Sequence, residues 1–392
     1  MKKISLIIIF IASFLMFSVA SVTEVAYANS EIEDELKKEV EENLDSLIDQ
    51  NLNEYFSELQ IDFQGMDFKN WLLSVINGEQ EFSIDNVGET LLNSLKTTFK
   101  TTLLSLLSIL VLSLLSSFSS SLTAGFKKEG TKQIIHFAVY GSIICTLAIM
   151  IGDIIKSVTS TLSTVQSFIE VIFPVFITLF TALGGSAGVT FIEPTTLILS
   201  NVVLKVILSA IIPIFTATMI FTFVGNLTDT IKLEKLTKTF KSIANWTLVI
   251  VFSILTTFVS VQGIVGSSID TITVKSAKFA LSSYVPILGG YLSEGFDIVL
   301  ASCVLIKNAL GLSMFFIVLT IVFAPIIKIL CLSLCLKLIS SFVEPVGEVK
   351  LSTLLFDTAN NLNLLVASLA GVAFLLFIVT ILIIGAFNGG VA

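Results

Sequence analysis

The sequence contains no arginine, one histidine and two tryptophans, and only 13% of its residues are charged. Without the guanidinium fork there is no bidentate clamp for a carboxylate or a phosphate. A lone His136, with no Cys or carboxylate at ligand spacing, makes no metal site. The four cysteines, Cys145, Cys303, Cys331 and Cys335, all sit in apolar stretches, so no disulfide framework is indicated. Cys331 and Cys335 share a helix face at i, i+4 and read as packing residues in preference to a thiol pair. No Ser/His/Asp arrangement, phosphate loop or dinucleotide fingerprint is present. No basic patch is interleaved with aromatics, which excludes nucleic acid as a partner. Neither catalysis nor a cofactor is expected.

What the chain has in quantity is apolar surface. Of 392 residues, 54% are apolar and the mean hydropathy is +0.97. A soluble fold this apolar lacks the polar groups to cover itself, so the lipid bilayer is the expected solvent. Charge is divided unevenly. Asn29 to Asn93 holds 17 Asp and Glu against 3 Lys, whereas the chain from Ser94 onward holds 12 acids against 17 Lys. The two regions meet different surroundings.

Residues 1–28 read as a cleavable export signal: Lys2 and Lys3, an apolar run from Ile4 to Val19, and Ala26-Tyr27-Ala28 as the small-x-small site, cut after Ala28. Residues 29–95 then form a small helical extracytoplasmic segment. Its Ile32, Leu36, Val40, Leu44 and Ile48 recur every four residues, which predicts an amphipathic helix, and Asp67 to Asn77 predicts a second. The segment reads either as a solvated arm or as a docking surface for another extracytoplasmic protein.

Residues 96–392 predict an all-α polytopic membrane domain of six to eight crossings. The apolar stretches are Leu103–Leu122, Ile134–Ile151, Phe168–Ala187, Thr195–Val224, Trp246–Val265, Tyr284–Leu336 and Leu362–Phe387. Tyr284–Leu336 is long enough to require more than one element. The Lys-rich loops Thr123–Gln133 and Asn226–Asn245 both read as cytoplasmic. An even number of crossings must lie between them, yet three apolar stretches do. Either one is re-entrant or Thr195–Val224 splits near Pro213.

A weak internal repeat pairs 127–225 with 238–342. Each unit has a basic loop, a span, a Ser/Thr-rich connector, a proline (Pro174, Pro286), a glycine pair (Gly184-Gly185, Gly289-Gly290), acids (Glu193; Glu294 and Asp297) and a Ser-x-Val-x-x-Lys motif ending at Lys205 or Lys307. The glycines and prolines are candidate helix breaks and re-entrant elements. Glu193, Lys205, Glu294, Asp297 and Lys307 are candidates for a polar path or a helix interface, with one acid–lysine pair expected per unit. The alternative is that the lysines snorkel and the acids lie at the membrane surface.

Two stretches, LGGSAGVTFIEPTTLILSNVVLK from Leu183 to Lys205 and VPILGGYLSEGFDIVLASCVLIKNALGL from Val285 to Leu312, resemble the stage III sporulation protein AE family. The order of signal, acidic arm and polytopic body fits the same family. The resemblance implies a non-enzymatic component of a secretion-like channel in the mother-cell membrane around the forespore. The partners it implies are other stage III sporulation proteins of the same operon, some of them ring-forming, and indirectly stage II sporulation protein Q. An autonomous secondary transporter with its site between the repeat units, and a membrane scaffold with no conducting path, are the rival readings.

Overall fold

The computed structural model describes residues 30–48, 52, 54–56, 65–77, 96–104, 106–115, 129–182, 186–227, 232–258, 289–346 and 349–385. The signal segment with its site at Ala28, and Gly184, Gly185 and Pro286, lie outside the described residues. Among the described residues every regular element is helical, and six helices are long and apolar enough to cross a membrane. This is an all-α polytopic membrane protein. Hydrocarbon offers no partner to a peptide group, so each span satisfies its own N–H and C=O groups within one helix.

Helices α1 (Ser30–Leu47) and α2 (Phe68–Ile76) form the acidic arm. The body comprises α3 (Lys96–Leu115), α4 (Glu129–Ala182), α5 (Ser186–Val206, then Ile207–Ile211 and Ile212–Leu227), α6 (Glu234–Phe258), α7 (Gly289–Val343) and α8 (Val349–Gly385). A 3₁₀ turn at Glu344–Val346 leads from α7 towards α8, and the two helices pack as an antiparallel hairpin. Tyr140 near the start of α4 donates to the Lys350 carbonyl at 3.3 Å, and Lys241 near the start of α6 donates to the Asn360 carbonyl at 2.8 Å. The starts of α4, α6 and α8 therefore lie at one end of the bundle.

Helix continuity corrects five expectations. Phe168–Ala187 is no separate element: it is the last part of the 54-residue α4 and the first residues of α5. Two helices thus lie between the two Lys-rich loops, and the parity conflict disappears. Pro174 does not break α4, which runs through it. Pro213 does not split α5; the five-residue π turn Ile207–Ile211 immediately before it widens the helix where a proline ring would meet the preceding turn. From Gly289 to Leu336 the stretch Tyr284–Leu336 is part of one 55-residue helix, Gly289–Val343, which Gly289 and Gly290 open. The last span begins at Val349, thirteen residues before the expected Leu362.

At 1.5 Å per residue, α4 and α7 are each about 80 Å long, far more than the ~30 Å of hydrocarbon. The arm explains how so long an apolar run is covered. α1 packs on α7 and touches α4, and α2 packs on α7. Leu36, Val40, Leu44 and Ile48, the face read from the four-residue spacing, are all buried. Asn43 Nδ2 donates to Ser302 Oγ of α7 at 3.0 Å. Phe56 stacks on Phe68 at 3.8 Å and meets Phe168 of α4 edge-on at 6.2 Å. Asp67 caps α2 by accepting from the Asn70 N–H at 3.2 Å. The arm's apolar face is taken up by the chain's own body, and arm and body share one core.

On the opposite flank, α6 approaches α8 through a ring-on-glycine contact. A Cβ added to Gly371 would overlap the Phe252 ring. Gly371→Ala is expected to lower the thermal midpoint of the detergent-solubilised protein, and Phe252→Ala in the same chain to restore part of the loss, because it makes the missing room; no restoration would refute the contact's role. Leu44 is fully buried, so Leu44→Ala should cost roughly 2–5 kcal/mol of arm docking. Limited proteolysis of the purified protein should then cut the arm about 10-fold faster or more, while Glu41→Ala on the exposed face leaves the rate unchanged.

Candidate functional site

Among the described residues, many hydroxyls bond to their own helix. Ser113 donates to the Ile109 carbonyl at 2.6 Å, Thr218 to Ile214 at 2.7 Å, Ser313 to Ala309 at 2.6 Å, and Ser368 to Leu364 and Thr380 to Leu376 at 2.9 Å. Such back-bonding hides a hydroxyl in lipid but says nothing to a neighbouring helix. Polar contacts between helices are fewer, and they specify which helix meets which. Ser333 donates to the Ala359 carbonyl at 2.9 Å, and Ser340 to the Ser352 carbonyl at 2.8 Å, which fixes the register of α7 on α8.

The densest of these contacts joins α5, α6 and α8. Lys241 Nζ donates to the Asn360 carbonyl at 2.8 Å and to Asn361 Oδ1 at 3.3 Å. Asn361 Nδ2 donates to Thr222 Oγ1 at 2.8 Å, and Thr222 in turn donates to the Thr218 carbonyl at 2.8 Å. Each donor finds an acceptor along the relay, which fixes the Asn361 amide the right way round. Asn361 and Thr222 are buried, and Lys241 is half-buried. Asp357, one turn before Asn361 on α8, is also half-buried, and its charge acts on Lys241. Nearby, Lys238 and Glu234 pair at 2.5 Å in the open, a contact worth little. The cluster holds a cation in fixed register between three helices.

Sequence reasoning passed over this cluster. Lys241 counted only as a marker of a basic loop, and the last span was begun beyond Asp357, Asn360 and Asn361. The available signal was the polar run from Asp357 to Asn363 between apolar flanks, with Asp357 and Asn361 on one helix face at i, i+4.

The residues singled out from the sequence fare unequally. Lys307 is fully buried in α7, whereas Lys205, its counterpart in the repeat, is exposed on α5. The paired motifs therefore stand in unlike surroundings. Glu193 and Lys205 are twelve residues apart on one continuous helix, about 18 Å. Asp297 and Lys307 are ten apart on another, about 15 Å, and Glu294 is more distant still. The side chains of Glu193, Glu294 and Asp297 lie outside the described residues. Ser302, in the second motif, carries the contact from Asn43; Ser200, its counterpart, is buried with its hydroxyl unpaired. Among the described residues no three His, Cys, Asp or Glu come together as metal ligands. An open groove lies between the arm and α4, lined by Leu52, Tyr55, Pro174 and Thr178.

Comparison with known proteins adds what these contacts cannot. A family model described as stage III sporulation protein AE matches residues 66–387. The chain is 24% identical over 340 residues to the stage III sporulation protein AE of Bacillus subtilis (strain 168), a match covering 86% of this chain and 85% of that protein. No solved structure matches.

If the relay is a unit, its members should not be additive. Lys241→Met and Asn361→Leu should each lower the thermal midpoint in detergent, and the double variant should lower it by less than the sum, with a coupling of about 1 kcal/mol. Strict additivity would show that the two side chains act separately.

Proposed function

The chain belongs to the stage III sporulation protein AE family, and from that membership we propose that it is a non-enzymatic membrane component of the channel complex between mother cell and forespore, needed for late forespore development. The observation that carries the reading is the family match over residues 66–387, which takes in α2 and every helix of the body. The contacts between helices are hydrogen bonds that fix which helix meets which, as a membrane component of an assembly requires. We place the protein in the mother-cell membrane around the forespore, its signal segment removed after Ala28.

In this reading the arm lies in the intermembrane space and the two Lys-rich loops face the mother-cell cytoplasm, as the positive-inside rule requires. Six crossings then return the end of α8 to the intermembrane side. The partners are other stage III sporulation proteins of the same operon, including ring-forming ones, and indirectly stage II sporulation protein Q; they meet the exposed acidic face of α1, which carries Glu35, Glu41, Glu42 and Asp45. Fully buried Lys307 favours a second reading, an autonomous secondary transporter, because a cation inside an apolar bundle marks a polar route more often than a structural one.

A chromosomal deletion should block formation of heat-resistant spores, and the wild-type gene should restore it. Lys307→Met is expected to lower spore yield at unchanged protein level, while Lys205→Ala stays near normal. With the protein expressed in non-sporulating cells, where the extracytoplasmic side faces the medium, Glu41→Cys should react with an impermeant thiol reagent applied outside protoplasts; labelling only after lysis would reverse the orientation. Solute flux through liposomes holding this protein alone would favour the transporter over the channel component.

A further inference from the structure

Helix α6 carries a groove on the outside of the bundle whose lining changes in a fixed order along the helix axis. Lys238, Thr239 and Ser242 stand at its head, Ile243 and Trp246 at its middle, and Ile250 at its foot. All six side chains are exposed. Lys238 is the last exposed charge on α6; beyond Trp246 the large exposed side chains are Val249, Ile250 and Ile254. From Lys238 to Ile250 the helix rises about 18 Å. Half a bilayer with its headgroups is about 20–22 Å thick. The groove is therefore as long as one leaflet, and its polar head lies at the end of the bundle where α4, α6 and α8 start.

The charges at the head say what fits there. Lys235 lies one turn before Thr239 on the same helix face. It is exposed and forms no ion pair among the described residues. Lys238 pairs with Glu234 at 2.5 Å, but an ammonium group has three N–H donors and this pair occupies one. The face thus sets two lysines against one carboxylate, and its net charge is that of one cation. Of the neighbouring charges, Lys232 is exposed just before the helix, Lys241 turns away onto Asn360 and Asn361, and Asp357 is half-buried on α8. A phosphodiester carries one negative charge and balances this face. Below it, Trp246 stands where indoles gather at a membrane boundary, and Ile250 follows one turn deeper.

We propose that this groove binds one anionic phospholipid, its phosphate on Lys235 and Lys238 and an acyl chain along Trp246 and Ile250. Lysines at a membrane surface favour anionic over zwitterionic headgroups, because a zwitterionic lipid brings its own cation to the same place. A free phosphate would fill the head of the groove and leave Trp246 and Ile250 uncovered. A second copy in the same membrane would bring its own lysine-rich end to the same height and set like charges together. An anionic lipid satisfies both ends of the groove at once. The inference concerns what α6 meets in the bilayer and stands apart from what the assembled protein does.

The test is tryptophan fluorescence of the full chain in phosphatidylcholine vesicles that contain either brominated phosphatidylglycerol or brominated phosphatidylcholine. The chain has two tryptophans and Trp71 is buried in the arm, so the quenching lost in Trp246→Phe reports on the groove. Brominated phosphatidylglycerol should quench this signal at about ten-fold lower mole fraction than brominated phosphatidylcholine, and added inorganic phosphate should not reverse the preference. Lys235→Gln and Lys238→Gln should each lower the preference about five-fold. Lys350→Gln, exposed at the same end of the bundle on α8, should leave it unchanged. Equal quenching by the two lipids would overturn the proposal. So would an equal loss in Lys350→Gln, the sign of diffuse surface charge and no site. A Trp246 signal that neither lipid quenches would overturn it too and give the groove to a second copy.

Discussion

Hydrocarbon supplies no hydrogen-bond partner, and that constraint shapes almost every feature of this chain. It makes each span a helix, and it turns many hydroxyls inward onto their own carbonyls. It also gives disproportionate weight to the few polar contacts that pass between helices. The Lys241–Asn361–Thr222 relay and the Ser340–Ser352 contact carry this kind of information. Apolar packing makes the helices adhere, but many rotations of one helix on another bury similar area. A donor with only one acceptor in reach selects among them.

The same constraint shows which features were legible in the sequence. The face of α1 was legible because a four-residue spacing of Leu36, Val40, Leu44 and Ile48 has one structural meaning in an acidic segment. The membrane class was legible from apolar runs too long for any soluble core. Helix boundaries within those runs were not. Periodicity vanishes when every face is apolar, so Tyr284–Leu336 looked like several elements and proved to be one. Prolines misled for a related reason. Pro174 and Pro213 lack a donor, but neighbouring packing and a π turn absorb the defect.

The candidate site was half legible. Lys307 was visible as a charge in oil, and it is indeed buried. Its supposed match Lys205 is exposed, because likeness of motif does not carry likeness of surroundings. Asp357 and Asn361 went unread because attention stopped at the edge of the apolar run. In membrane proteins that edge is where charged side chains combine partial burial with access to water, so specific polar clusters gather there.

The two over-long helices tie these points together. A helix about 80 Å long cannot meet a single medium, and the side chains of α4 record the succession. Lipid-facing Phe137 and Ile149 come first, then a charged and serine-lined stretch from Asp153 to Glu170, then the part that Phe56 of the arm closes over at Phe168. The buried face stays apolar throughout. The exposed face alone changes. The acidic arm follows the same logic: its inner face is apolar and packs on α7, and its outer face presents carboxylates. Without that arm the part of α7 around Ser302 would hold bare apolar surface, which is why an acidic region is needed by so apolar a helix.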